Sequence, residues 1–283
     1  MELKRTAGRR AGNIHTTFKM AVFGALVALV LLTAVFAPQL APFDPYEQDL
    51  GSALLPPVRE HLFGTDRFGR DLLSRVIMGS RSTVFSALLL VLLITVIGTA
   101  VGMLCGYYGG WLDSLLMRLS DVFLAFPGMV FAIAAAGVMK GGLFSAVAAL
   151  ACISWPKYAR IARSQALAIR NMPYVAAARL AGSGDVQIMG KHILPNLAGP
   201  VVVTAVLDMG TMMMEIAGLS FLGLGAAPPA AEWGSMMSDG RSMLQTSPWV
   251  VLAPGLAIFL TVMIFNLAGD TVRDLLDPRQ RKR

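Results

Sequence analysis

Asp208 and Glu215 lie seven residues apart inside one apolar stretch, and they are the side chains best placed to act on a charged ligand away from bulk water. Two helical turns separate them, roughly 10 Å along one face. A carboxylate in a bilayer core costs at least about 2.5–3.5 kcal/mol on insertion scales, so neither is expected to face lipid. Set along a pathway, Asp208 nearer the cytoplasm and Glu215 nearer the outside, they would favour a cationic cargo. The alternative is pairing with Ser, Thr or Arg groups of neighbouring spans. Met209, Met212, Met213 and Met214 share the stretch. Thioethers are soft metal ligands, yet methionines in an apolar span more often serve as adaptable packing; Met212 joins Asp208 and Glu215 as a candidate pathway residue, and no metal site is assigned.

A second kind of chemistry is recognition by a protein surface. Ala176, Ala177, Ala178 and Gly182 follow Asn171 and Pro173, a capping residue and a proline placed where its missing N–H is harmless. A helix of about ten residues is predicted there, ended by Gly182 and Gly184, with small side chains that let another protein's backbone approach. Other chemistries are absent. The Gly-Lys pair Gly190-Lys191 is followed by His192 and lies in no phosphate-binding loop, so ATP hydrolysis by a P-loop is excluded for this chain. There is no nucleophile elbow and no His-Glu-x-x-His helix, and an enzyme is not expected. His61, Asp66 and Asp71 fit no metal-binding spacing; they read as a capped loop entering a helix.

These residues must be carried by membrane helices. The 283 residues are 55% hydrophobic and 14% charged, with mean hydropathy +0.64, whereas soluble domains are about a quarter charged. The net charge of +7 clusters beside apolar runs rather than along a stripe, which argues against nucleic acid and for a membrane. Cys105 and Cys152 sit in apolar runs and read as small core residues. A basic tail over 1–19 leads to an apolar run from Met20 to Phe43, longer than a signal-peptide core and read as a retained first span. Further spans are predicted within Ser82–Leu112, over Val122–Met139 after a polar break at Asp113–Asp121, from Leu143 past Pro156, over Leu197–Leu222, and over Trp249–Gly269. Lys140-Gly-Gly142 reads as a tight turn. Lys157, Arg160, Arg163 and Arg170 extend the fourth span and could snorkel to headgroups. The expected organisation is all-α: a six-helix membrane domain over 20–270, a loop at 163–195 bearing the small-residue helix between spans four and five, and a basic tail over 271–283.

The loop resembles the cytoplasmic "EAA" loop of ABC importer permeases: Glu-Ala-Ala, three residues, Gly, nine residues, Ile-x-Leu-Pro. Ala177 and Ala178 take the alanine places, Gly182 the glycine, and Leu194 and Pro195 the closing pair, while Ala176 replaces the glutamate and His192 the isoleucine. Phe63-Gly-Thr-Asp-Arg-Phe-Gly-Arg-Asp71, Leu207-Asp-Met-Gly210, Ala217-Gly-Leu-Ser-Phe-Leu-Gly-Leu-Gly225, Ala231-Glu-Trp-Gly-Ser-Met-Met237 and Phe265-Asn-Leu-Ala-Gly-Asp270 through Pro278 resemble permeases of the dipeptide, oligopeptide and nickel importers. Asp208 and the departure at Ala176 are more similar to the nickel-type members. The resemblance implies a coupling helix that docks on an ATPase, a second related permease, two ATPase subunits that hold ATP, an extracytoplasmic binding protein, and transport of nickel or a metal chelate, with dipeptides or oligopeptides as the alternative. A self-sufficient carrier or channel is the competing class.

Orientation follows from the excess of Lys and Arg on cytoplasmic segments. With six spans and the N-terminus inside, 17 fall on inner segments and 7 on outer ones. Both termini and the 163–195 loop are therefore expected in the cytoplasm of a bacterial inner-membrane protein.

Overall fold

The computed structural model describes the backbone of residues 2–276 and the side chains of 18–275. Most basic residues of the expected tails, Lys4, Arg5, Arg9, Arg10, Arg279, Arg281, Lys282 and Arg283, lie outside the described side chains. Among the described residues the α-helices follow in the order α1 (Glu2–Val35), α2 (Ala37–Leu40), α3 (Leu72–Tyr108), α4 (Gly110–Ala125), α5 (Gly128–Val138), α6 (Leu143–Arg170), α7 (Pro173–Leu180), α8 (Asp185–Ile188), α9 (Leu194–Phe221), α10 (Trp233–Gly240) and α11 (Trp249–Leu276). A π-helical turn over Met189–Ile193 joins α8 to α9. Among the described residues, four stretches are long and apolar enough to cross a membrane, in α1, α3, α9 with its leading turns, and α11, or five if α4 and α5 are counted as one span.

Two boundaries differ from the sequence expectation. The polar break at Asp113–Asp121 is not a loop: it lies inside α4, because its acidic side chains find cationic partners on α6. The expected third span is instead broken at Phe126-Pro127, where α4 and α5 bend by 93°. Proline disfavours helical backbone at the residue before it, and Phe126 is extended. The second helix also begins earlier, at Leu72. Asp71 caps it, its carboxylate accepting from the Ser74 amide and hydroxyl, both at 2.7 Å. The Lys140–Gly142 turn forms as expected, all three residues having positive φ.

The centre of the molecule is α3 against α6. Gly98, Gly102 and Gly106 recur every four residues and so lie on one face of α3. A Cβ on Gly98 would come within 2.5 Å of the Trp155 carbonyl, one on Gly102 would strike the Ala159 carbonyl, and one on Gly106 would come within 2.7 Å of the Ala166 methyl. Small-residue faces of this kind let helices touch backbone to backbone in lipid, where association depends on close packing. α9 packs against α3, α6 and α11, and α1 lies outside against α11 and α3.

Candidate functional site

At the start of α3 the polar 44–71 segment is a rigid knot. Asp66 accepts from the amides of Phe68 and Arg70 and from Arg70 Nε at 2.7 Å, with Arg75 Nε at 3.5 Å. Arg75 donates to the Pro45 carbonyl at 2.9 Å. His61 Nδ1 lies 2.9 Å from Asp71, so His61 and Asp71 are brought together while Asp66 is turned to the arginines. Glu232, fully buried, caps α10 by accepting from the amides of Gly234 and Ser235, and Trp233 Nε1 donates to the Val76 carbonyl at 2.8 Å. α10 is thereby fixed to the first turns of α3. On the surface of the knot, Ser52 and the Gly51 amide donate to Asp49 and hold its carboxyl below the usual range.

Between α6 and α9, the segment singled out by its small residues forms α7, which starts with Pro173 in its first turn as expected. The residue before it is Met172 rather than Asn171, no side chain caps the helix, and its eight residues give about 12 Å. Gly182, with φ +88° and open space around it, ends the turn. Val175 is the buried anchor; Ala176, Ala177, Gly182, Leu194 and Pro195 are exposed and Ala178 is half-buried. Leu180 and Val186 are 90% and 80% exposed, the most exposed large apolar side chains of this loop. The loop is tied to α3 through Tyr107, whose hydroxyl donates to Asp185 at 2.5 Å and accepts from Arg179 at 3.1 Å. That bond holds the Arg179 guanidinium above its ordinary pKa. Arg170 donates to the carbonyls of Gly106 and Tyr107, the last carbonyls of α3, where a cation also offsets the helix dipole.

A charge cluster occupies the middle of α6 and α9. Lys157 and Asp208 lie midway along these two 28-residue helices. Lys157 Nζ donates to Asp208 Oδ1 at 2.6 Å, and the buried Tyr158 hydroxyl donates to Oδ2 at 3.0 Å. Arg160 and Arg163 reach across to Asp121 and Asp113 on α4. Lys157, Arg160 and Arg163 of α6 are thus paired with acidic side chains within the chain. Of the sequence-derived pathway residues, Asp208 is buried in this pair, Met212 is packed in the core with Met209 and Met213, and Glu215 is half-buried; Met214 points outward, 55% exposed. Cys105 is buried, but Cys152 is exposed. No three His, Cys, Asp or Glu side chains converge among the described residues. Lys157 was missed as a site residue, although a lysine following a long apolar stretch calls for a counter-ion.

Comparison with known proteins agrees with this architecture. Residues 98–282 match the family described as "binding-protein-dependent transport system inner membrane component", and residues 19–57 match the "N-terminal TM domain of oligopeptide transport permease C". The dipeptide transport system permease protein of Haemophilus influenzae is 40% identical over 270 residues, 92% of each chain. The probable D,D-dipeptide transport system permease protein of Escherichia coli K12 is 43% identical over 254 residues, 90% of this chain and 85% of the relative. The nickel transport system permease protein of the same organism is 40% identical over 253 residues, 89% of this chain and 91% of the relative. Identity therefore does not favour nickel-type over dipeptide-type relatives, against the expectation drawn from Asp208 and Ala176. In fold, the chain is similar to the inward-facing MetNI methionine ABC transporter, with TM-score 0.57 at 18% identity over 73% of this chain and 98% of that one. With long apolar helices and matches running nearly its whole length, the chain belongs to the multi-pass inner-membrane permeases of bacterial binding-protein-dependent ABC importers, in the dipeptide, oligopeptide and nickel family.

Proposed function

We propose that this chain forms half of the translocation pathway of an ATP-driven importer, spanning the membrane six times with both termini in the cytoplasm. α6 is the span that composition alone obscures. Its 28 residues cover about 42 Å, and its internal charges are offset by Asp208, Asp121 and Asp113. α4 and α5 together form the remaining span.

The observation that carries this reading is the loop between α6 and α9. It exposes Leu180 and Val186 beside the smooth face of Ala176 and Ala177, while Tyr107, Asp185 and Arg179 bind it to the long α3. A body pressing on this loop moves three spans at once. We assign it as the coupling segment that receives a separate ATPase subunit, on which ATP is held and hydrolysed; Ala176, Ala177, Ala178, Gly182, Leu194 and Pro195 form or border the contact. A second, related permease completes the pathway, two ATPase subunits drive it, and an extracytoplasmic binding protein delivers cargo to the 44–71 and α10 end.

We assign short peptides as the cargo, since Asp208 has both oxygens engaged by Lys157 and Tyr158 and is not free to take a metal cation. Nickel or a nickel chelate is the second reading, favoured by the carboxylate of Glu215, which has no ion-pair partner among the described residues. The test is ATP hydrolysis by the reconstituted complex with its binding protein loaded with a dipeptide, nickel or a nickel chelate. Stimulation by the dipeptide is expected; stimulation by the nickel forms alone would reverse the cargo assignment. Cargo uptake by the purified chain without ATP would point instead to a self-sufficient carrier.

A further inference from the structure

The outward faces of the long helices differ in chemistry. α3 shows Phe85, Leu89, Leu92, Val96 and Ile97, and α11 shows Leu252, Leu256, Phe259, Leu260 and Met263, all large and apolar. From its midpoint on, α6 shows Lys157, Arg160, Ser164 and Ala168. Intramembrane charge that faces out of a chain belongs on water or a partner, not on lipid. This face of α6 is therefore on the pathway side.

On that side the charges are not equally committed. Arg160 is held by Asp121. The Asp208 side chain is 5% exposed and both its oxygens are used, whereas the Lys157 side chain is 53% exposed. An ammonium has three donors, and Asp208 takes one. Glu215, half-buried, has no ion-pair partner among the described residues. Lys157 and Asp208 are the charged groups whose fields reach it. It lies two turns beyond Asp208 on the same face of α9, about 10 Å along the axis.

We propose that Lys157 and Glu215 form a dipolar site for a zwitterionic short peptide in transit, Lys157 receiving the terminal carboxylate and Glu215 the terminal ammonium, with Asp208 as the residue that positions Lys157. Two extended residues reach about 7 Å, and a charge-assisted hydrogen bond of about 2.8 Å at each end brings the reach to about 12–13 Å, enough for an axial offset of about 10 Å. A zwitterion also leaves the net charge of the cluster unchanged, which a bare metal cation would not. The proposal rests on the permease reading above.

The test uses the complete complex in liposomes with its binding protein, and compares uptake of alanyl-alanine with that of its N-acetyl and C-terminal amide analogues. The binding protein's own preference is common to all permease variants and cancels in the ratios. Glu215→Gln is expected to lower the ratio of dipeptide to N-acetyl analogue about tenfold and to leave the ratio of dipeptide to amide unchanged. The double variant Lys157→Gln/Asp208→Asn, which removes both charges and keeps shape, is expected to do the reverse, and Lys157→Arg to retain the wild-type ratios. If the double variant does not assemble, Glu215→Gln decides. Unchanged ratios in Glu215→Gln, with the wild-type complex importing the dipeptide, would overturn the site. Failure of the wild-type complex to import any of the three peptides would overturn the cargo assignment on which it depends.

Discussion

Lys157 and Asp208 meet midway along α6 and α9, and the pair binds together the two helices that the α7–α8 loop connects. Removing Asp208 leaves Lys157 without its counter-ion and the Tyr158 hydroxyl without this acceptor. Asp208→Ala is expected to cost about 1–3 kcal/mol, the penalty for an unsatisfied buried polar group, moderated because Lys157 is half exposed. The thermal midpoint of the solubilised complex should fall in Asp208→Ala and recover most of the way in Lys157→Gln/Asp208→Asn; equal midpoints for Asp208→Ala and wild type would show that the pair contributes nothing. The sequence made Asp208 visible, since an acidic residue in an apolar run stands out. Its partner was hidden because Lys157 falls in a basic cluster that resembles the flank of a span. Only the helix running on to Arg170 shows that Lys157 lies midway along α6.

At the scale of elements, α3 and α6 can be close because Gly98, Gly102 and Gly106 present no side chains. Gly102→Leu would force the two backbones apart. Overpacking of a well-packed core commonly costs about 1–3 kcal/mol, and here the obstruction is backbone, which cannot rotate away. The level of folded protein in membranes is expected to fall sharply. Gly137→Ala, on an open face of α5, should be neutral or slightly stabilising because alanine is the better helix former. Comparable loss in both variants would deny the α3–α6 contact its special role. The apolar runs made α1, α3, α9 and α11 legible from the sequence. The helical state of Asp113–Asp121 was not legible, because the partners that make those charges compatible with a packed helix lie some forty to fifty residues away in the chain. α7 was foreseen through Pro173 and Gly182, which act locally; the Tyr107 tie that fixes it to α3 is a long-range contact and left no local mark.

For the whole molecule, the proposed six-span arrangement puts the α7–α8 loop and the knot of 44–71 at opposite faces of the membrane, in line with the excess of Lys and Arg on the segments assigned to the cytoplasm. Cytoplasmic reporters fused after Arg170 should be active and those after Ser52 or Ser238 inactive; activity after Ser52 would contradict the six-span arrangement. Coupling belongs to the same scale. Gly182→Arg, which puts a hydrated charge and a strained left-handed residue at the open end of α7, is expected to leave the chain inserted and to reduce transport at least about tenfold; normal transport with normal ATPase association would show that the loop is not the docking site. The most direct measurement of the central claim is thiol cross-linking in the assembled complex, using Leu180→Cys on the coupling loop and Leu62→Cys on the knot, which are 90% and 63% exposed in this chain. The account predicts that Leu180→Cys links to the ATPase subunit and Leu62→Cys to the binding protein. Adducts of Leu180→Cys with the binding protein, or none with the ATPase in a complex that imports normally, would contradict it.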